Sequence, residues 1–403
     1  MHKFLLYSLT ILLLGLAVAL RISWLKPTTV LPKNQPITFL AIVKNQPKIN
    51  GQKQIIEVGD SRIYQDLFPR YKIGDKLKIQ GQADNRGNIF NARVEKIGQN
   101  EAGELAQVIS LFSQIRTKIS TNINQLLPTR EATLVGGMVL GVDDIERDFR
   151  DQLIKTGTIH VVVVSGQNLM IVAGLFLALA KYIGRRGSLL LAVVASFGYS
   201  MLTGFEPPVV RASLMVLAAS LAIYFGRESL AIWNLMVAAL VILFIWPGAI
   251  KEISFQLTFM ATLGIMTLGR RLSDLSILSN LSYLIKENAA IATSAYIFTA
   301  PIILFYFGKV SILAPIVNVL VAEAVFPLMI LGFLIAVISL IFMPVAQIIA
   351  SLSYVPAFYF VKVVEIFAQI PVDQINLGKG SLMMVIALYI LIFSLMGIWT
   401  KGK

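Results

Sequence analysis

From Gly157 to Lys403 the chain is a succession of apolar runs parted by short loops, each run near the ~20 residues that cross a ~30 Å hydrocarbon layer as helix. Ser188–Thr203, Ser229–Trp246 and Ser381–Trp399 are examples. The runs are continuous rather than alternating, which excludes a transmembrane barrel, and their number excludes a soluble enzyme. Composition agrees, because charged residues make up 14% of the chain, against about 25% in soluble domains. Runs at 158–181, 188–203, 208–226, 229–246, 252–268, 286–307, 311–342, 345–370 and 381–400 are expected to span, with 311–342 either one tilted helix or a re-entrant segment plus a span. Residues 4–20 form a further apolar run, longer than a signal-peptide core and followed by Arg21, Trp24 and Lys26, and read as a retained membrane anchor over 1–27. The expected fold class is therefore a polytopic α-helical membrane protein of about ten spans.

Between Pro36 and Gly98 the texture changes to short strand-like runs, Ile37–Val43, Gln54–Val58, Leu77–Gly81 and Phe90–Ile97, separated by turn-forming residues. The segment 28–100 is expected to form a small external β-barrel, OB-like, that is, of the oligonucleotide/oligosaccharide-binding type. Segment 21–100 also carries 14 basic and 6 acidic residues. Phe39, Tyr64, Phe68, Tyr71 and Phe90 are interleaved with Lys44, Lys53, Arg62, Arg70, Lys72, Lys76 and Lys78, the combination of stacking surface and positive charge that holds single strands without sequence preference. Lys44, Lys53, Arg62, Tyr64, Arg70, Tyr71 and Lys72 are the candidate DNA contacts. The competing reading is that the aromatics fill a small core and the lysines keep it soluble.

Segment 101–156 reads as amphipathic interfacial helices: 105–127 places its apolar residues on one broad face, Thr129 is placed to cap a short helix from Arg130, and 144–156 alternates acid and base. The basic loops at 181–186, 226–227 and 269–271, with the tail Lys401–Lys403, place those loops and the C-terminus in the cytoplasm, and segment 21–157 outside.

Polar residues inside apolar runs mark bundle interiors or water-filled paths, because they are costly in lipid. His160, Ser165, Gly166, Gln167 and Asn168 form such a break, and Glu206, Arg211, Gln256, Asn318 and Glu323 are further cases. Together they define a candidate substrate path, although hydrogen-bonding glue between packed helices is the plainer alternative. With no cysteine and two histidines, His2 and His160, the chain has no thiolate nucleophile, no Cys-ligated metal and no His-rich cluster, and no cofactor is expected. An intramembrane hydrolase would need Ser165 and His160 within hydrogen-bond reach, and five residues apart on a helix they point about 140° from each other. The chain is accordingly not expected to be an enzyme. A small-molecule or lipid-linked transporter on the same scaffold remains an alternative to a nucleic-acid path.

Four stretches resemble the ComEC family of bacterial competence proteins, inner-membrane channels that admit single-stranded DNA during transformation. A family pattern close to G-T-x-H-L-x-x-x-S-G-L-H stands here as Gly157-Thr158-Ile159-His160 and then Ser165-Gly166-Gln167-Asn168, with Asn168 in place of the second His and Gln167 in place of Leu. Thr203-Gly204 through Arg211-Ala212 is similar to T-G-x-x-x-x-x-x-R-A, and Ser254–Ile265 to F-Q-L-S-F-x-A-x-x-G-I. Pro301 through Tyr306-Phe307-Gly308 to Pro315 and Asn318 adds a fourth. The resemblance, strongest over 130–345, implies a channel domain over 157–403 that passes single-stranded DNA into the cytoplasm, with Arg211 as a phosphate contact. It also implies a multi-pass protein of the cell membrane with its β-domain outside. The implied partners are single-stranded DNA, membrane lipid, a DNA receptor, a cytoplasmic motor protein and a separate nuclease, since the sequence ends at Lys403 without the H-x-H-x-D-H motif of the metallo-β-lactamase-like domain in long family members.

Overall fold

The computed structural model describes residues 36–43, 47–50, 53–58, 61–66, 68–71, 75–82, 84, 88–90, 92–99, 104–163, 165–226, 231–275, 283–370, 375–376 and 381–401, together with Gly15 and Arg21. The anchor read over 4–20 lies outside the described residues, Gly15 apart. Two compact units divide the chain, one over Ser23–Lys118 and the other holding Ile119–Lys403.

The first unit is built from strands β1 (Pro36–Ile42), β2 (Lys48–Asn50), β3 (Lys53–Val58), β4 (Ser61–Asp66), β5 (Asp75–Gln82), β6 (Asn88–Phe90) and β7 (Arg93–Gln99). They form two sheets, an antiparallel β1–β5–β7 and a four-stranded β2–β3–β4–β6 in which β4 and β6 run parallel. Period-2 alternation sends one face of each strand inward: β5 buries Asp75, Leu77 and Ile79 and turns Lys76, Gln80 and Gln82 outward. Ala41, Val43, Ile56, Ile63, Tyr71, Leu77, Ile79, Ile89 and Ala92 form one core drawn from both sheets. The expected closed barrel is not formed among the described residues. The strands at the ends of the four-stranded sheet, β2 and β6, are three residues long, too short to carry a ladder across to the other sheet. The run expected at 90–97 is also divided, since β6 joins one sheet and β7 the other.

The second unit is helical. After α1 (Glu104–Leu126), which crosses from the first unit, come α2 (Thr129–Leu140), α3 (Arg147–Thr156), α4 (Ile159–Val162), α5 (Gly166–Leu177), α6 (Ala180–Leu202), α7 (Pro207–Tyr224) and α8 (Ala231–Ile245). A 3₁₀ turn then leads to α9 (Ile253–Gly264), which runs through a π turn into α10 (Arg270–Ser273). The rest is α11 (Tyr283–Phe307), α12 (Ala314–Ile338), α13 (Met343–Gln369) and α14 (Leu382–Lys401), with β8 (Lys309–Val310) pairing β9 (Ile375–Asn376). The longest helix contacts run α12 along α13, α5 along α6 and α9 along α11.

Four helices among the described residues are long and apolar enough to cross a membrane: Pro207–Tyr224, Ile285–Phe307, Ala314–Ile338 and Met343–Gln369. Three shorter apolar helices accompany them, Gly166–Leu177, Ile232–Ile245 and Leu382–Met396. The run 158–181 is broken into α4 and α5, and the one at 188–203 extends back through Gly184, whose positive φ of 76° kinks α6. The run 311–342 is one helix, α12.

Helix α2 departs from the interfacial reading. Its residues Leu134–Leu140 are all buried, and a Cβ on Gly332 of α12 would lie 2.7 Å from Val139 and 3.1 Å from Val135, so this short helix is enclosed against α12. A stretch apolar on every side, as Leu134–Leu140 is, belongs inside a bundle, and Gly332 lets the two backbones approach. Its N-cap is Pro128, not Thr129, which is the first helical residue.

Candidate functional site

The polar break begins at a helix end. Gly157 ends α3 with φ 72°, where its N–H and that of Thr158 turn back onto Ile154 O and Leu153 O. A Cβ on Gly157 would also lie 2.4 Å from Ala314 Cβ, so the position needs glycine both for its backbone and for the close approach of α12. Thr156 and Thr158 are fully enclosed and share a hydroxyl–hydroxyl bond of 2.9 Å, while Ser311 donates to Lys155 O at 2.6 Å and Tyr296 to Ser311 O. The Gly-Thr stretch thus ties α3 to the start of α12.

Ser165 opens α5 as its N-cap, accepting from Asn168 N and donating to Asn168 Oδ1 at 3.1 Å. Asn168, 1% exposed, also donates through Nδ2 to Met138 O at 3.0 Å. Tyr199 OH donates to that same carbonyl at 3.0 Å. Met138 lies in the last turn of α2, where carbonyls lack a helical donor, and Gly141 and Val142 satisfy only Gly137 O and Gly136 O. A carboxamide suits this place because it accepts the serine proton and donates to the carbonyl at once. Gln167 and His160 are exposed, and Gly166 packs against Ala212 of α7. Ser165 is directed to Asn168 rather than toward His160.

Arg211 lies in α7 and is 3% exposed. Its Nη2 donates to Ser254 O and Ser254 Oγ, each at 3.0 Å, and to Thr258 Oγ1 at 2.7 Å. Its Nε is buried without a hydrogen-bond partner among the described residues. Two of the sequence stretches therefore meet, Thr203–Ala212 on one side and Ser254–Ile265 on the other. Glu206, half-buried, stands immediately before α7, and Gln256, half-buried, donates to Ile250 O at 2.9 Å. Asn318 and Glu323 sit elsewhere, on α12. Asn318 Oδ1 is buried with no partner among the described residues, and exposed Glu323 accepts from Asn288 Nδ2 of α11 at 2.9 Å. The structure thus joins the 165–168 turn, Ala212 and Met138, joins Arg211 to α9, and leaves Glu323 with Asn288.

On the strand unit, Lys44 and Lys72 lie outside the described residues, as does the side chain of Lys53. Tyr71 is a core residue: its OH donates to Val94 O at 3.2 Å and its N–H to Gln54 Oε1 at 3.2 Å. Burial, then the nearby Asp75 charge, pushes its phenol above the usual tyrosine value. Tyr64 is placed differently. It pairs in register with Phe90 across β4 and β6, and the two rings stack at 4.7 Å and 15° on the outer face, Phe90 being 51% exposed. Arg62, two residues before Tyr64 on the same face, is exposed, and Arg70 lies over the exposed Phe68 ring at 5.5 Å.

Sequence reasoning missed Met138, Tyr199, Ser254, Thr258 and Asn288, whose roles depend on contacts 30 or more residues away. It also missed Arg130, which joins Asp148 of α3 at 2.9 Å and Glu365 of α13 at 2.5 Å. The family model described as "Competence protein" matches residues 138–402, the stretch that holds these contacts apart from Arg130 itself.

The chain belongs to the Competence protein family.

Its family relatives include ComE operon protein 3 of Bacillus subtilis (strain 168), 28% identical over 212 residues that cover 51% of this chain and 26% of the relative. An uncharacterized protein of Aquifex aeolicus (strain VF5) is 33% identical over 124 residues, 30% of this chain and 28% of that protein. The chain thus matches about a quarter of the length of these curated relatives. No solved structure matches it. Each family stretch holds a helix contact: Gly157 with α12, Asn168 with α2, Arg211 with Ser254 and Thr258.

Proposed function

We propose that this Competence-family chain is a membrane channel component that passes single-stranded DNA into the cytoplasm during DNA uptake, acting as a conduit rather than as an enzyme. Membership of the family over 138–402 carries the proposal. The long apolar helices support a multi-pass placement in the cell membrane, with the shorter apolar helices and the runs 4–20, 188–203 and 252–268 completing about ten spans. The strand unit lies outside the membrane and meets the incoming strand. The Tyr64–Phe90 stack, half-buried at Tyr64 and exposed at Phe90, lies beside Arg62 and suits the unit to that task, because ring faces accept any base and a guanidinium attracts phosphate. His160 and Gln167, exposed at the break between α4 and α5, are the path residues of the polar turn, and Asn168 shapes it from within. The conduit reading is supported by Ser165, whose hydroxyl is bonded to Asn168 instead of standing free as a nucleophile. A DNA receptor, a cytoplasmic motor and a nuclease complete the proposed system.

The test is uptake of labelled DNA by cells from which the gene has been removed. Uptake should disappear and return when the chain is supplied. The Tyr64→Ala/Phe90→Ala double variant, at equal abundance, should restore about a tenth of it or less, the effect of losing one or two base stacks. Uptake that persists without the chain would sink the proposal.

A further inference from the structure

Family resemblance implies that Arg211 contacts phosphate, but the contacts of Arg211 point to another task. Its guanidinium is enclosed in the helical unit, and one nitrogen, Nη2, faces three oxygens of α9. Thr258 makes this possible: its hydroxyl proton goes to Ser254 O at 2.8 Å, which leaves the Thr258 lone pairs for the arginine. Ser254 O in turn receives both Thr258 and Arg211, so the first turn of α9 is fastened to α7 through a single charged donor. Such bonds are stronger than neutral ones, and the donor is costly to leave unpaired away from water. On its other side, residue 212 packs against Gly166 at the start of α5. The segment 211–212 therefore holds α9 with one residue while its neighbour abuts the polar turn.

We infer that Arg211 is a positioning residue, which sets α9 against α7 beside the 165–168 turn and acts on transport through Ser254 and Thr258 instead of touching the substrate. Its transport readout rests on the uptake reading above, but its structural readout does not. The chain has no cysteine, so a pair introduced on α7 and α9 supplies the only thiols. Oxidative cross-linking of a panel of such pairs in membranes without DNA should give one dominant pair in the parent chain. Thr258→Val, which keeps shape and removes the acceptor, should lower that yield several-fold and spread it over neighbouring pairs. In the uptake assay Thr258→Val should lose about tenfold, the scale of one bond to a charged group, with an unchanged dependence on DNA concentration. Adding Arg211→Gln to Thr258→Val should cost less than the two single losses combined, and Arg211→Lys should recover part of the Arg211→Gln loss. If Thr258→Val and Ser254→Ala leave cross-linking and uptake within about twofold of the parent, the usual scatter of independent sites, the positioning role is overturned. Should Arg211→Gln fail to accumulate, Thr258→Val alone decides between these outcomes. Loss of uptake dependence on the chain, with the cross-linking pattern intact, would remove the transport reading and leave the clamp standing.

Discussion

Gly157 carries two independent demands, a left-handed backbone and contact with Ala314, and both were open only in part to sequence reasoning. Glycine after an amphipathic helix signals its end, so the turn was legible; the neighbour 157 residues later was not. Gly157→Ala should destabilise the protein by more than the ~1 kcal/mol of the left-handed backbone alone, because the new methyl meets Ala314. Thermal unfolding in detergent checks this: the second substitution Ala314→Gly should recover the steric part and not the backbone part. No recovery would mean that the glycine is needed for its conformation only. Asn168 shows the same division. Its polarity inside an apolar run was visible and suggested a path, but its side chain is spent on Ser165 and on a carbonyl at the end of α2, which makes it a fastening within the turn.

Among the elements, α2 and α3 are held to α13 by Arg130. The guanidinium reaches Asp148 at the start of α3 and Glu365 near the end of α13, lies over the Phe149 ring at 5.6 Å, and shares Glu365 with Lys362. Arg130 is about one-third exposed, so solvent weakens the pairs, and ring contact adds to what charge supplies. Arg130→Met should cost about 1–2 kcal/mol in stability, less in high salt, and should leave α12 and its contact with α2 intact. Proteolysis at the 141–147 loop is the measure, and cleavage no faster than in the parent would show that α3 is held by its apolar face alone. The helices themselves were legible, since the ends of α1, α7, α11, α12, α13 and α14 all lie within four residues of the apolar runs that foretold them. The strands were less so. β4, Ser61–Asp66, places polar Arg62 and aromatic Tyr64 on its outer face and polar Gln65, which donates to Ala92 O, on its inner one, and with only Ile63 as a large apolar residue in its centre it carries a weak alternation signal.

For the molecule as a whole, the basic loops give the orientation prediction. In the cysteine-free background, Arg62→Cys should react with an impermeant thiol reagent on intact cells, and Arg185→Cys only after the membrane is broken. Reaction in the reverse order would place the strand unit in the cytoplasm and end its role in meeting external DNA. The membrane class and the succession of helices followed from sequence alone, because lipid leaves so few ways to satisfy a backbone that length and hydropathy nearly suffice. Family membership was likewise readable, being carried by the order and spacing of short polar stretches. Tertiary structure decided what those stretches do. Whether Arg211 meets water, substrate or Ser254, whether α2 lies at an interface or against α12, and whether Tyr64 or Tyr71 offers a ring to the outside depend on partners brought together by packing. A polar residue in an apolar run announces that it must be satisfied; only the packed neighbours determine by what.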